Sequence, residues 1–356
     1  MSEIRPITGA NVWRGSEMAR SARWRRDLDA AQLAEIDAAL RGARARGLTW
    51  EDARAGDFPL PGLARLIDDI REELENGSGL LLLRGIEVDR YDLDELRLIY
   101  AGLSRQLGTL VYSNRGGEIM REIRDVGADV GKRYGELSDG GERRFLSSYS
   151  RTLSNGSLRY HTDRCDVVAL FCIRQALKGG LSQLCSSPAV HNAMLERRPD
   201  LCAALYEPVW RSRFGEEDEG DTLGYALPVW DQRDGKFTSH YSRTFVEAGQ
   251  RRTDTPRVSP AQWEALDMLS EIADELSFEM RFAPGDIQFV NNHVIYHARS
   301  AFEDDAGAGR DRLLLRLWLA MPNSRALPAG HEVLWGSVAA GALRGGIGQT
   351  ASAPLR

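Results

Sequence analysis

The motif His161-x-Asp163 places an imidazole and a carboxylate two residues apart. In an extended chain, residues i and i+2 point to the same side, so the two side chains can converge on one ion. His297 is a candidate third ligand, because it ends the strand-like run at 286–297. Two neutral imidazoles and one carboxylate on one face of a metal, with three positions open, form the arrangement used for Fe(II) and O2 chemistry. Taken alone, the motif also fits an ordinary surface pair.

A second feature is the apolar segment 312–321, RLLLRLWLAM. As a strand, it would place Arg312, Arg316 and Trp318 on one face and leucines on the other. A buried guanidinium needs a matching carboxylate, held best in two-pronged geometry. That carboxylate could belong to the protein or to a small diacid bound beside the metal. A hairpin near residue 304 is expected to lay this strand beside the run at 286–297, with Arg312 roughly opposite His297.

Several motifs in this order resemble the taurine dioxygenase-like family. They are His161-x-Asp163, Gly179-Gly180-x-Ser182, Pro284-Gly285-Asp286, Asn292 followed by His297-Ala-Arg299, and Arg312 followed by Arg316. The family consists of Fe(II)- and 2-oxoglutarate-dependent dioxygenases with a double-stranded β-helix core. The resemblance covers about residues 75–325, which is most of the chain.

This resemblance implies that His161, Asp163 and His297 bind the iron. It also implies that Arg316 binds the distal carboxylate of 2-oxoglutarate. Ser182 falls where the family often has a threonine that meets the same carboxylate. Arg312 falls where a second arginine pairs with 2-oxoglutarate or with a ligating carboxylate.

The expected reaction follows from the same resemblance. It consumes O2, converts 2-oxoglutarate into succinate and CO2, and oxidises a C–H bond of a small molecule, by hydroxylation or a related outcome. Asp163 is a carboxylate and not Gly or Ala, so the pattern of the halogenating relatives is absent. Six polar side chains near the motifs are candidates for substrate contact: His293, Asn292, Arg299, Arg159, Tyr112 and Arg243.

The placement of His293 depends on the elements around it. It lies four residues before His297, so on one continuous strand the two would share a face. Apolar spacing and capping residues predict helices at 28–46, 61–76, 92–107, 188–206 and 260–275. A buried strand is expected at 79–86, and short strands separated by turn residues follow from about residue 117.

These elements predict a mainly β, α+β fold, a double-stranded β-helix or jelly roll with flanking helices. We expect a helical extension at 1–75, the dioxygenase domain at 76–325 and a Gly/Ala-rich tail at 326–356. The acidic segment 215–221 is expected to be a mobile insert.

The composition of the chain excludes several classes of function. The chain has 356 residues, 42% of them hydrophobic, which is enough for a large core, and its net charge of −6 argues against nucleic acid as a partner. No apolar stretch approaches the roughly 20 residues of a membrane span. Four cysteines without paired spacing, and an N-terminus without an apolar signal region, indicate the cytoplasm. Self-association into a homo-oligomer is left open.

Two alternatives remain at this point. A jumonji-type oxygenase that modifies peptides or proteins would need a wide groove, whereas the segment 210–245 has the pattern of a lid. A non-catalytic ligand-binding barrel would have no need of both the metal triad and Arg316.

Overall fold

A computed structural model of the chain describes residues 3–127, 152–213, 222 and 224–348. The expected insert at 215–221 therefore lies outside the described residues. The helices in chain order are α1 (Gly15–Met18), α2 (Ala30–Ala45), α3 (Ala64–Glu75), α4 (Leu93–Leu107), α5 (Ser187–Arg197), α6 (Pro199–Ala204), α7 (Arg243–Gln250), α8 (Pro260–Leu276) and α9 (Glu332–Trp335). None of these helices is both long and apolar enough to cross a membrane.

The strands follow the same order. They are β1 (Arg25–Asp27), β2 (Leu80–Arg84), β3 (Thr109–Val111), β4 (Arg121–Ile123), β5 (Leu158–His161), β6 (Val167–Arg174), β7 (Lys178–Gly179), β8 (Ser182–Ser186), β9 (Val209–Ser212), β10 (Gly224–Leu227), β11 (Trp230–Arg233), β12 (Lys236–Ser239), β13 (Phe278–Met280), β14 (Ile287–Asn291), β15 (Ile295–Arg299), β16 (Phe302–Glu303) and β17 (Leu313–Ala320).

Two sheets enclose the interior of the molecule. The larger has the order β1-β2-β14-β6-β17-β3, with β4 also paired to β17, and the smaller has the order β13-β8-β15-β5. Apolar side chains from both sheets, among them Leu314 of β17 and Ile295 of β15, form one buried cluster. The strands β9 and β10, β11 and β12, and β7 and β16 pair as separate two-stranded ribbons.

The period-2 pattern of β17 is confirmed. Its odd-numbered leucines pack in a cluster with α2, α3 and α4 on one face of the larger sheet, whereas Leu314 and Trp318 belong to the cluster between the sheets. Arg316 is therefore directed into the interior, as alternation along a strand requires. Helices α5, α6 and α8 pack with Tyr296 and Ala298 on the outer face of the smaller sheet.

Capping residues define most of the long helices. The side chains of Asp29, Asp92 and Ser259 accept hydrogen bonds from the third residue of α2, α4 and α8. The single helix expected at 188–206 is instead two helices, α5 and α6. Pro199 disfavours the helical conformation at Arg198, which has φ −146° and ψ 76°.

Two expectations about β-structure are wrong. The run at 286–297 is not one strand, because the chain turns at residues 292–294 and passes from β14 in the larger sheet to β15 in the smaller one. Strand β17 does not lie beside this run either. It pairs with β6, and β6 separates it from β14.

Candidate metal centre

The side chains of His161, Asp163 and His297 meet between the two sheets. His161 ends β5 and pairs with His297 of β15 in antiparallel register, so the two imidazoles lie side by side with ring centroids 4.2 Å apart. Asp163 follows two residues after His161. One ligand atom of each residue lies within 4.8 Å of the other two.

The donor set fits a metal ion. Asp163 Oδ1 lies 3.7 Å from His161 Nε2, and Asp163 Oδ2 lies 3.8 Å from His297 Nε2, distances too long for hydrogen bonds. The Nδ1–H of His161 donates to the Arg159 carbonyl over 2.8 Å, which leaves the Nε2 lone pair free for a metal. Two imidazoles and one carboxylate are the ligands of non-haem Fe(II) centres.

The charge states of the site also suit a metal. Burial by itself would raise the pKa of Asp163, but the charge of Arg316 and the nearby imidazoles outweigh it, so the pKa lies below its usual value. Burial lowers the pKa of His297 to about 3, and His161 adds to this effect. At neutral pH the carboxylate is therefore ionised and the His297 imidazole is neutral, as ligands must be.

A cavity leads to these three side chains. Its volume, with the opening to solvent included, is about 520 Å³. The wall combines apolar residues with guanidinium groups: Ile123, Thr152, Leu158, His161, Asp163, Val168, Leu170, Ser182, Phe282, His297, Ala298, Arg299, Arg312 and Arg316. Apolar walls with a few convergent polar and charged groups are typical of small-molecule sites.

Arg316 lies in β17 and Arg312 directly precedes it, and the two side chains occupy different parts of the cavity wall. Arg316 Nη1 lies 3.7 Å from Asp163 Oδ2, so this guanidinium is beside the metal ligands. Arg312 packs its guanidinium 5.2 Å from the ring centroid of Phe302 and donates no side-chain hydrogen bond to any described residue. Gly180 makes room for it, because a Cβ there would lie 3.1 Å from Arg312 Nε. Burial lowers the pKa of Arg312 to about 10.

The sequence model of the family described as "Taurine catabolism dioxygenase TauD, TfdA family" matches residues 43–318. The chain belongs to this family. The enzyme class expected from the motifs, a 2-oxoglutarate-dependent non-haem iron dioxygenase, is thereby confirmed.

The chain is also similar in sequence to individual curated proteins. The chain is 31% identical over 344 residues to "FR-33289 synthase" of Streptomyces rubellomurinus, a match that covers 94% of this chain and 97% of the relative. It is 33% identical over 299 residues to "Taurine hydroxylase-like protein SAT17" of Stachybotrys chartarum, covering 82% of this chain and 73% of the relative.

Solved structures support the fold. An asparagine oxygenase in complex with Fe(II), 2S,3S-3-hydroxyasparagine and succinate matches with a TM-score of 0.62 and 18% identity. The non-haem iron oxygenase OrfP in complex with Fe and alpha-ketoglutaric acid matches with a TM-score of 0.60 and 16% identity. Each match covers 83% of this chain and 93% of the other. The jelly-roll expectation for this member of the taurine dioxygenase family is confirmed.

Two of the candidate substrate residues occupy the turn between β14 and β15. His293 does not share a face with His297, because the turn directs it to Asp166 Oδ1 at 2.9 Å and to Thr238 Oγ1 at 2.8 Å. Asn292 lies behind the metal ligands, where its Oδ1 accepts the backbone N–H of Asp163 over 2.9 Å. The expectation that His293 shares a face with His297 assumed a continuous strand and is wrong for that reason.

Among the other candidates, Arg299 lines the cavity. It donates to the Ser154 carbonyl over 2.7 Å. Arg159 and Arg243 are outside the cavity wall, and both form salt bridges with Glu247.

Tyr112 is half-buried and also lies outside this wall. Ser182 lines the cavity, and its hydroxyl donates to Gln288 Oε1 over 3.2 Å. Of these two candidates, Ser182 is the one that the fold brings to the cavity.

Sequence reasoning missed two groups that hold the site together. Trp318 donates its indole N–H to Asp163 Oδ2 over 3.0 Å. Asp166 is buried and accepts from Arg344 of the C-terminal tail over 2.8 Å and from the Met321 backbone. The alternation of β17 placed Trp318 on the correct face, but no sequence signal identified what its N–H would meet.

Proposed function

We propose that this chain binds Fe(II) through His161, Asp163 and His297 and hydroxylates a C–H bond of a small metabolite with 2-oxoglutarate and O2. The observation that carries the proposal is the convergence of three ligand atoms within 4.8 Å of one another in the cavity wall. The family match favours this function over a jumonji-type protein oxygenase or a binding barrel.

Bound Fe(II) and 2-oxoglutarate supply the oxidising chemistry: O2 is split between the substrate, which gains a hydroxyl, and succinate, which forms with loss of CO2. The protein contributes a neutral imidazole at His297 and an ionised Asp163 that need no proton transfer before metal binding. Apolar residues such as Leu158, Val168 and Phe282 line the cavity and limit the access of water to the reaction.

We further propose that Arg312, and not Arg316, binds the distal carboxylate of 2-oxoglutarate. The guanidinium of Arg316 is already beside Asp163, whereas Arg312 lies four residues earlier in the sequence, about 13 Å along an extended chain. Arg312 is buried without a carboxylate partner for its guanidinium among the described residues. A cosubstrate that meets the metal with one end and carries a second carboxylate would supply that partner. Ser182 lines the same cavity and adds a hydroxyl.

The charges of the cavity wall support an anionic group on the substrate. With Arg312 assigned to 2-oxoglutarate, the guanidiniums of Arg299 and Arg316 still line the cavity against the carboxylate of Asp163. Two structural neighbours, the asparagine oxygenase and OrfP, are solved in complex with 2S,3S-3-hydroxyasparagine and (3S)-hydroxy-L-Arg. We therefore propose a small carboxylate-bearing metabolite, such as an amino acid or a derivative of one.

The metal site is tested by iron analysis of the reconstituted protein. His161→Ala and His297→Ala should each lose bound iron, whereas His331→Gln should retain it, since His331 contacts Asp231 and lies outside the cavity wall. Wild-type iron content in both alanine variants would overturn the assignment.

The substrate class is tested by substrate-stimulated succinate formation. A panel of small carboxylic acids, each paired with its neutral amide, should show stimulation by the acids. Equal stimulation by the matched amides would contradict the charge argument without affecting the metal site.

The cytoplasmic location stays a proposal, supported by four buried cysteines that form no disulfide. The division of the chain into 1–75, 76–325 and 326–356 stays a prediction. The absence of a nucleic-acid partner also stays a prediction, and self-association into a homo-oligomer is left open.

A further inference from the structure

Asp163 is held at two places by different groups. Its backbone N–H donates to Asn292 Oδ1, which fixes the position of the main chain. That bond leaves the carboxylate free to rotate about its side-chain torsions. The indole N–H of Trp318 is the group that meets the carboxylate itself, 3.0 Å from Oδ2.

The two carboxylate oxygens therefore differ. Oδ2 accepts the bond from Trp318, and the Arg316 guanidinium lies 3.7 Å from it. Among the described residues, none donates a hydrogen bond to Oδ1, which lies 3.7 Å from His161 Nε2. Oδ1 is thus the oxygen available to share an ion with His161.

Arg316 is a competitor for this carboxylate. Arginine and carboxylate readily form a two-pronged pair, which here would engage both oxygens of Asp163. The guanidinium of Arg316 instead lies over the Trp318 ring, 4.8 Å from its centroid, and its 3.7 Å separation from Oδ2 exceeds a hydrogen bond. The same indole thus occupies Oδ2 with its N–H and supports Arg316 with its face.

We propose that Trp318 is a positioning residue that fixes Asp163 as a single-oxygen ligand, with Oδ2 bonded to the indole and Oδ1 presented to the metal. This inference rests on the proposed role of Asp163 as a ligand. Trp318 is buried on β17, 155 residues from Asp163 in the sequence, so the contact is a property of the folded sheet.

The test compares three variants. Trp318→Phe removes the N–H and keeps an aromatic ring beneath Arg316. Trp13→Phe is the matched control, because Trp13 is equally buried and its indole N–H donates to the Ser78 carbonyl over the same 3.0 Å. Asp163→Asn tests the underlying ligand assignment. Each protein is titrated with Co(II) by calorimetry, and the visible spectrum of the Co(II) form is recorded.

Trp318→Phe should bind Co(II) roughly 10- to 100-fold more weakly, as loss of an outer hydrogen bond to a ligand typically does, with an altered Co(II) spectrum. Trp13→Phe should match wild type in both. If Trp318→Phe keeps wild-type affinity and spectrum while Asp163→Asn loses binding, the positioning role is refuted and the ligand assignment stands. If Asp163→Asn binds as wild type, the proposed metal site itself fails.

A measurement on the wild-type protein covers the case in which Trp318→Phe does not fold. The chain has eight tryptophans, so a protein labelled with ¹⁵N in its indoles gives eight N–H signals. Zn(II) should shift one of them far more than the rest, because that N–H is bonded to a ligand carboxylate. Eight unmoved signals with Zn(II) bound would refute the proposal.

Discussion

Replacing Arg312 by methionine should stabilise the ligand-free protein and at the same time weaken 2-oxoglutarate binding strongly. Both effects have one cause. Arg312 is buried beside Phe302, and its guanidinium has no hydrogen-bond acceptor among the described residues. A charge in that position is unfavourable until a carboxylate is bound.

The magnitude follows from the pKa of Arg312. Burial lowers it from 12.5 to about 10, which corresponds to about 3 kcal/mol at 1.36 kcal/mol for each unit of pKa. The contact with the Phe302 ring returns about 1 kcal/mol. Arg312→Met should therefore raise the free energy of unfolding by about 2 kcal/mol at most. Loss of a two-pronged, charge-assisted pair should weaken 2-oxoglutarate binding by about 3 kcal/mol or more, roughly 100-fold.

Urea unfolding of the ligand-free protein and calorimetric titration of 2-oxoglutarate into the Zn(II)-loaded protein measure the two effects. Arg211→Met is the matched control, because Arg211 is fully buried but donates to the carbonyls of Val209, Leu227 and His240. That substitution should destabilise the protein, since it leaves buried carbonyls without donors. Destabilisation of Arg312→Met to the same extent, or wild-type 2-oxoglutarate affinity, would refute the reasoning.

Two further predictions concern pH and Arg316. Burial lowers the pKa of His293 to about 4, against about 6.5 in an unfolded chain, despite its bond to Asp166. The contribution of His293 to the free energy of unfolding is therefore fully present above about pH 6.5 and falls as the pH drops, by about 2 kcal/mol at pH 5. Urea unfolding at several pH values should show a smaller loss of stability in His293→Gln than in wild type. Equal losses in the two proteins would contradict this. Arg316→Lys should change the affinity for 2-oxoglutarate far less than Arg312→Met does in the same calorimetric titration, because Arg316 lies beside Asp163; a loss as large as that of Arg312→Met would contradict the assignment of the distal carboxylate to Arg312.

Local patterns were sufficient to predict much of this fold. The strand at 167–174 and the alternation of β17 follow from apolar periodicity, and Ser259 before a proline marks the start of α8. The pairing of strands was not predictable in the same way. The turn at 292–294 contains neither Gly nor Pro, and the turn preference of Asn291 and Asn292 did not by itself distinguish a turn from a continuous strand.

The metal site likewise combines a feature that local sequence predicts with contacts that it does not predict. The spacing of His161 and Asp163 fixes their common side, and that part of the prediction needed only the geometry of an extended chain. The roles of Trp318 and Asn292 depend on contacts across 155 and 129 residues, which only the sheet arrangement creates. His293 was misplaced because a turn, and not a strand, connects it to His297.

The most direct test of the account is succinate formation from 2-oxoglutarate by the iron-loaded protein in the presence of ascorbate and O2. Wild type should form succinate only with Fe(II) present, and Asp163→Asn should lose this activity while keeping its circular dichroism spectrum, because the one carboxylate of the triad is gone. Iron-independent succinate formation, or full activity in folded Asp163→Asn, would contradict the proposal that His161, Asp163 and His297 form the catalytic iron site.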